Sequence, residues 1–203
     1  MVAVGEKKYY FSAMFAALTA YTDANNADVP YESPSNKDLR ITATVLKDGT
    51  TVALDQQQAD DVLNANGVIT AVNADGFKSW GNNTAAYPST TDPKDRWWAV
   101  RRFFDWDGNN FIRTYFQKVD KPGNKRLIQS IVDSQNIIGN GYVARDYCAG
   151  YRVEFRSDEN PVTNLLAGHL TVHTYLAPYI PAEYLENIRE YDVDALASAI
   201  GGE

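Results

Sequence analysis

Residues 66–84 read NGVITAVNADGFKSWGNNT. Val68, Ile69, Ala71 and Val72 make an apolar run, Asn73-Ala74-Asp75-Gly76 supplies turn residues, and Phe77 and Trp80 follow before Gly81-Asn82-Asn83. Asp-Gly readily takes the positive-φ backbone of a tight hairpin turn, so the stretch predicts strand, turn, strand. Such a hairpin carries no chemistry of its own. Just upstream, Asp55 with Gln58 three residues on has the spacing of a capping box, and Gly67 suits a helix exit. A short helix with Ala59, Val62 and Leu63 inward is therefore expected to feed the hairpin.

Further towards the N-terminus, Phe11, Met14, Phe15, Leu18 and Tyr21/Thr22 recur at helical spacing and predict a helix over Lys8–Ala24. VPYESPSN, residues 29–36, has two prolines and reads as a loop or extended segment; Leu39–Val45 and Thr51–Leu54 read as strands. Beyond the hairpin, residues 85–95 form a polar loop. Arg96–Val119 reads as mostly helical, with Trp97, Val100, Phe104, Phe111 and Tyr115 on one stripe and either a break at Asp107-Gly108-Asn109 or a helix weakened there by about 1 kcal/mol from the glycine. A second helix is expected from an Asn124 cap to Ile138, burying Leu127, Ile128, Ile131, Val132 and Ile138 and stopped by Gly139-Asn140-Gly141. The last third predicts strands at Tyr147–Arg156, His169–Leu176 and Tyr184–Tyr191, a rigid bend over Ala177–Glu183, and a helical or frayed tail from Asp192. The order predicts one α/β (α+β) domain: a mixed sheet packed against several helices, with a C-terminal strand-bearing arm.

The 203 residues are 44% hydrophobic and 12% aromatic, enough for a sizeable core with large buried or interfacial surfaces. A net charge of −7 argues against general nucleic-acid binding. No apolar run approaches the ~20 residues of a membrane-spanning helix, and MVAVGEKKYYF has no secretory pattern. One cysteine, Cys148, precludes an intrachain disulfide and fits folding in a reducing cytosol.

Chemistry-bearing motifs are sparse. Asp105-Trp106-Asp107-Gly108-Asn109-Asn110 starts like a calcium loop but has Asn110 at the glycine position and Phe116 at the glutamate position, so a helix break or surface loop is the better reading. His169 and His173 are the only histidines; four apart on a strand they lie ~13 Å from each other, too far for one metal ion. Cys148 lacks an electropositive setting and reads as a small buried side chain. Arg101-Arg102, among aromatics, offers a base-stacking surface or, preferably in an acidic chain, a helix face meeting carboxylates. Lys118, Lys121, Lys125 and Arg126 form one basic cluster, a solvated face or a docking patch for an acidic partner. No catalytic, cofactor or metal-ligating set emerges, and no enzyme is expected.

Taken together, five segments resemble the contractile phage-tail sheath proteins, as found in myovirus tails, R-type bacteriocins and related contractile injection systems. They are Val29–Lys37 with Ser-Pro-Ser-Asn-Lys; Leu63–Thr70, similar to Leu-Asn-x-x-Gly-Val/Ile-x-Thr; and Asp75–Thr84, similar to Asp-Gly-Phe/Tyr-x-x-Trp-Gly-Asn-Arg-Thr. Val100-Arg101-Arg102 follows, then Ala167-Gly168 with a strand, Ala177–Glu183 and a final strand. Their order and spacing match along nearly the whole chain. Asn83 departs from the pattern, which has Arg there, so an ion pair of that arginine is expected to be missing. Sheath subunits are longer than this chain, with an N-terminal arm and often outer domains; the chain resembles their C-terminal conserved region and is expected to be a fragment, an engineered piece or a short homologue.

The resemblance implies a non-enzymatic subunit without cofactors that polymerises with itself around an inner tail tube protein, meets baseplate and tail terminator proteins, and contracts to drive the tube through a cell envelope. Neither nucleic acid nor direct membrane insertion is implied; the setting would be a virion tail or phage-like particle assembled in the host bacterial cytoplasm. Residues 1–181 would be the body and 182–203 the arm. A strand after the rigid bend, with Tyr184, Leu185, Ile188 and Tyr191, would pair with a neighbour's open sheet edge, and Lys118, Lys121, Lys125 and Arg126 are candidates for facing the tube. Two other readings stay open. One is a carbohydrate-binding or other interaction module, marked by exposed coplanar Trp and Tyr; the other is an enzyme, marked by Asp105, Asp107 and Asp146 converging in one pocket.

Overall fold

A computed structural model describes residues 1–201. The elements in chain order are β1 (Val2–Val4), β2 (Lys7–Tyr9), α1 (Phe11–Asn25), β3 (Ala43–Thr44), α2 (Gln56–Gln58), β4 (Thr70–Asn73), β5 (Phe77–Trp80), α3 (Pro93–Arg96), α4 (Trp98–Tyr115), α5 (Lys125–Ala144), β6 (Cys148–Glu154), α6 (Val162–Leu166), β7 (His173–Pro178) and α7 (Val193–Ala199). The strands make three small antiparallel sheets, β2-β1-β3, β4-β5 and β6-β7. The fold is mixed α/β, as the sequence predicts, but its sheet is divided rather than single.

The hairpin forms as expected. β4 and β5 pair from Thr70↔Trp80 to Asn73↔Phe77, and Asp75 and Gly76 turn the chain at φ 54° and 103°. Ala71 and Val72 are buried, whereas Val68 stays outside. The free edge of β5 is zipped to the Ser-Pro-Ser-Asn-Lys segment: the Asn36 N–H donates to Ser79 O (2.7 Å), the Ser79 N–H to Lys37 O (3.0 Å) and the Leu39 N–H to Phe77 O (2.7 Å). Gly81 N–H donates to the Ser35 hydroxyl (3.1 Å) and the Ser33 hydroxyl to Asn82 (2.6 Å). This divides the strand expected over Leu39–Val45. Its first residues follow the hairpin, Ala43 and Thr44 pair with β1, and Leu39 and Ile41 enter a core with Val2 and Ala71. The strand expected over Thr51–Leu54 reduces to a single bridge, Val45 to Thr51.

The helix before the hairpin opens with the expected reciprocal capping box. Asp55 Oδ1 accepts from the Gln58 N–H (2.7 Å), and Gln58 Oε1 accepts from the Asp55 N–H (3.4 Å). It then loosens through a π-turn, Ala59–Leu63, and a 3-10 turn, Asn64–Asn66, and exits at Gly67 with φ 69°. Ala59 is fully buried, but the widened turn rotates Val62 into solvent, contrary to the expected inward face.

At Asp107-Gly108-Asn109 the continuous helix holds over the break, and the stop expected at Gly139-Asn140-Gly141 is absent. α4 runs unbroken through Asp107-Gly108-Asn109, because packing of Val100, Phe103 and Tyr115 outweighs the roughly 1 kcal/mol cost of one glycine. Trp97 lies outside the helix, in a bridge to Asn83, and the fully buried residue is Phe103, not Phe104. α5 passes through Gly139-Asn140-Gly141 to Ala144. Gly139 serves close approach instead of termination: a Cβ there would sit 1.9 Å from Tyr151 Cδ1. Phe103, Cys148, Tyr151 and Val153 form the second core, where α4 and α5 cover the β6-β7 sheet.

Candidate functional site

After β7 the chain leaves the cores. Residues 179–192 belong to no helix or strand, and α7 closes the described chain with its N-terminus capped by Asp192 accepting from the Ala195 N–H (2.8 Å). The strand expected over Tyr184–Tyr191 is thus not formed. A strand exists only by hydrogen bonding to another, and nothing in the described chain lies beside this segment to pair with it. Its side chains are bare: Tyr184, Leu185, Ile188 and Tyr191 are 80, 88, 86 and 71% exposed. Val193, Leu196 and Ile200 continue this apolar surface onto α7.

The root of the segment is held. Glu183 accepts from Arg96 Nη2 and Asn82 Nδ2, both at 3.4 Å. Arg96 is itself fixed: its Nε donates to Asn83 Oδ1 (3.0 Å), and its guanidinium lies 4.5 Å from the Tyr87 ring centre and 4.1 Å from that of Trp97. Asn83 is buried and its amide also donates to Asn64 O (3.1 Å). The position read as an arginine lost from the sheath pattern thus touches an arginine supplied from elsewhere in the chain. Between the root and the body, a cleft of about 760 Å³ runs past Ser33, Lys37, Trp80 and Tyr179. Strand β7 runs on through Ala177 and Pro178, the start of the expected bend, and the sequence missed Arg96, whose partner lies 87 residues away.

The β6-β7 sheet has two strands and no third among the described residues. The basic residues Lys118, Lys121, Lys125 and Arg126 are all exposed, from the 3-10 turn after α4 to the first turn of α5, and none forms an ion pair among the described residues. Arg101 and Arg102 do meet carboxylates: Arg101 bonds Asp95 (2.9 Å) and Asp105 (3.0 Å), and Arg102 bonds Asp23 at the end of α1. This is the helix-face reading, with no free stacking platform.

The carboxylates of the enzyme reading do not share a pocket. Asp105 is exposed on Arg101, Asp146 is exposed after α5, and Asp107 is buried under the Tyr151 hydroxyl, which donates to it at 3.2 Å. Gln135 Nε2 donates to the same hydroxyl at 2.5 Å. Burial pushes the Asp107 carboxyl above its ordinary range, against the Tyr151 hydrogen bond, and pushes Tyr142 beside it up to about 12. His173 bonds Glu159 at 2.6 Å while His169 is exposed, so the two histidines stay apart in partners. All four tryptophans are buried or half-buried, so exposed coplanar tryptophans are not found.

No family model matches the chain. It is 31% identical over 195 residues to the tail sheath protein of Burkholderia phage BcepMu, across 94% of this chain and 40% of that protein. It is 31% identical over 130 residues to the tail sheath protein of Escherichia phage P2, across 62% of this chain and 31% of the other. The chain belongs to the contractile tail sheath family. The major tail sheath protein of Serratia phage KSP20 is 27% identical across 95% of this chain and 48% of its own length, so this sheath chain spans less than half the length of these relatives. Its fold matches a chain in the anti-feeding prophage baseplate (TM-score 0.79, 19% identity, 95% of this chain and 53% of the other). It also matches one in the PVC sheath complex in its contracted state (TM-score 0.75, 18% identity, 91% and 51%).

Proposed function

We propose that this chain acts as a structural, non-enzymatic part of a contractile sheath subunit that polymerises around an inner tube and shortens to drive it through a cell envelope. Residues 1–181 are the body and 182–203 the arm; the last two arm residues, Gly202 and Glu203, lie outside the described residues. The observation that carries the reading is the arm itself. It combines a fixed root at Glu183, backbone that belongs to no helix or strand and has no strand partner among the described residues, and four apolar side chains in solvent. Exposing these side chains is unfavourable at ~25 cal/mol per Å² of apolar surface, and strand addition to a second copy removes both that cost and the unpaired backbone.

In this reading Tyr184, Leu185, Ile188 and Tyr191 link neighbouring copies, and Lys118, Lys121, Lys125 and Arg126 face the inner tube. The partners are further copies of the subunit, the tube protein, and the baseplate and terminator proteins at the two ends. The location is a virion tail or phage-like particle built in the bacterial cytoplasm. Contraction requires body interfaces with two packings of different energy, while donated strands keep the copies linked. Electron microscopy of the purified full-length protein tests this: tubes or rings are expected, and strictly monomeric protein at high concentration contradicts it.

A further inference from the structure

Asp107, Asn110 and Thr114 recur at i, i+3 and i+7 on α4, and Gln135, Ile138 and Tyr142 do so on α5, so each set shares one helix face. Between the two helices, a pocket of about 440 Å³ is lined by Asn110, Thr114, Gln135, Ile138, Tyr142 and the exposed Arg113. Asp107 adjoins this lining. Its two oxygens accept from the Tyr151 hydroxyl (3.2 Å), and Gln135 Nε2 bonds the same hydroxyl (2.5 Å). An ionised carboxylate has about four lone-pair positions, yet that hydroxyl is the one side-chain donor Asp107 meets among the described residues. Gln135 is 2% exposed and its Oε1 has no hydrogen-bond partner among them. Neither Asp107 nor Arg113 forms an ion pair among the described residues.

A buried carboxylate is ordinarily matched by a cation, because an isolated charge loses its hydration. Here burial instead holds the carboxyl above its ordinary range. The site is short of donors and of positive charge together. A water would give Gln135 Oε1 a donor but would bring Asp107 no charge. Among the described residues no three His, Cys, Asp or Glu side chains converge as a metal would require, which leaves N–H donors. We propose that the α4–α5 pocket binds an organic cation of the alkyl guanidinium or ammonium class. The Asp107 charge attracts it, Gln135 Oε1 and the Thr114 and Tyr142 hydroxyls accept its N–H groups, and Ile138 packs on its aliphatic stem. The cationic group belongs to a free small molecule or to an Arg or Lys side chain of a second copy; the chemistry is the same. This inference does not depend on the sheath reading.

Calorimetric titration of agmatine, which carries a guanidinium and an ammonium on one butyl chain, into dilute full-length protein tests it. Agmatine is expected to bind the natural chain, whereas tetramethylammonium, a cation with no N–H, is expected not to bind. Asp107→Asn still accepts from the Tyr151 hydroxyl and is expected to weaken agmatine binding about tenfold or more, the loss of one charge-assisted interaction. Thr114 is exposed, so Thr114→Lys leaves the core intact; its own ammonium is expected to fill the pocket and abolish agmatine binding. Sedimentation velocity in saturating agmatine separates the two sources. Oligomers that dissociate assign the pocket to a side chain of a second copy, and an unchanged distribution assigns it to a free molecule. No agmatine binding to the natural chain, undiminished binding to Thr114→Lys or to folded Asp107→Asn, or equal binding of tetramethylammonium overturns the proposal.

Discussion

Single residues separate two uses of glycine in the same helices. Gly139 has the Tyr151 ring where its Cβ would be, whereas a Cβ at Gly108 or Gly141 meets nothing within 4 Å. Gly139→Ala is expected to destabilise by about 1–3 kcal/mol through overpacking, and Gly108→Ala or Gly141→Ala to stabilise by about 0.5–1 kcal/mol through lost backbone entropy. Urea unfolding of the three variants distinguishes the signs. Asp107 gives a pH test. Its folded carboxyl titrates above the ordinary value of 3.8, so its contribution to stability is present below that value and is lost as the pH rises through the raised one. Asp107→Asn is expected to gain stability relative to the natural chain over that rise; a pH-independent difference contradicts the assignment. The apolar stripe of α4 was legible in sequence, but Asp107 was not. A carboxylate among aromatics reads as surface until Tyr151 and Gln135, far along the chain, are seen to cover it.

At the scale of elements, the parts readable in sequence are those specified by their own residues. The Asp55–Gln58 capping box and the Asp75-Gly76 turn are local chemistry, and both form as read. Asp55→Ala is expected to cost about 1 kcal/mol, measured by the unfolding midpoint. What was misread depended on distant partners. Leu39–Val45 is split because the hairpin claims one end and β1 the other, and the glycines of α4 and α5 are carried by tertiary packing. Tyr184–Tyr191 has strand composition and no strand beside it. The clamp on its root was not legible, since Arg96 and Glu183 lie 87 residues apart in the chain. Arg96→Ala is expected to free the root without unfolding the body, seen as increased motion of a spin label at Ala182 with an unchanged circular-dichroism spectrum. An unchanged label spectrum contradicts the clamp.

For the whole molecule, a divided set of small sheets and two helix-covered cores carry an arm that contributes little to either. The family resemblance was legible because five short motifs keep their order along the chain, and it is matched by sheath relatives at 27–31% identity. In the proposed reading the interface is legible only as an unused segment, since the chain that would complete it is another copy. The central claim, that the arm links subunits while the body folds without it, is tested most directly by removing the arm after Pro181 in the full-length protein and measuring assembly by sedimentation velocity and electron microscopy. The account predicts a folded protein with an almost unchanged unfolding midpoint that no longer forms linked tubes or rings. An armless protein that still assembles into intact tubes would contradict it.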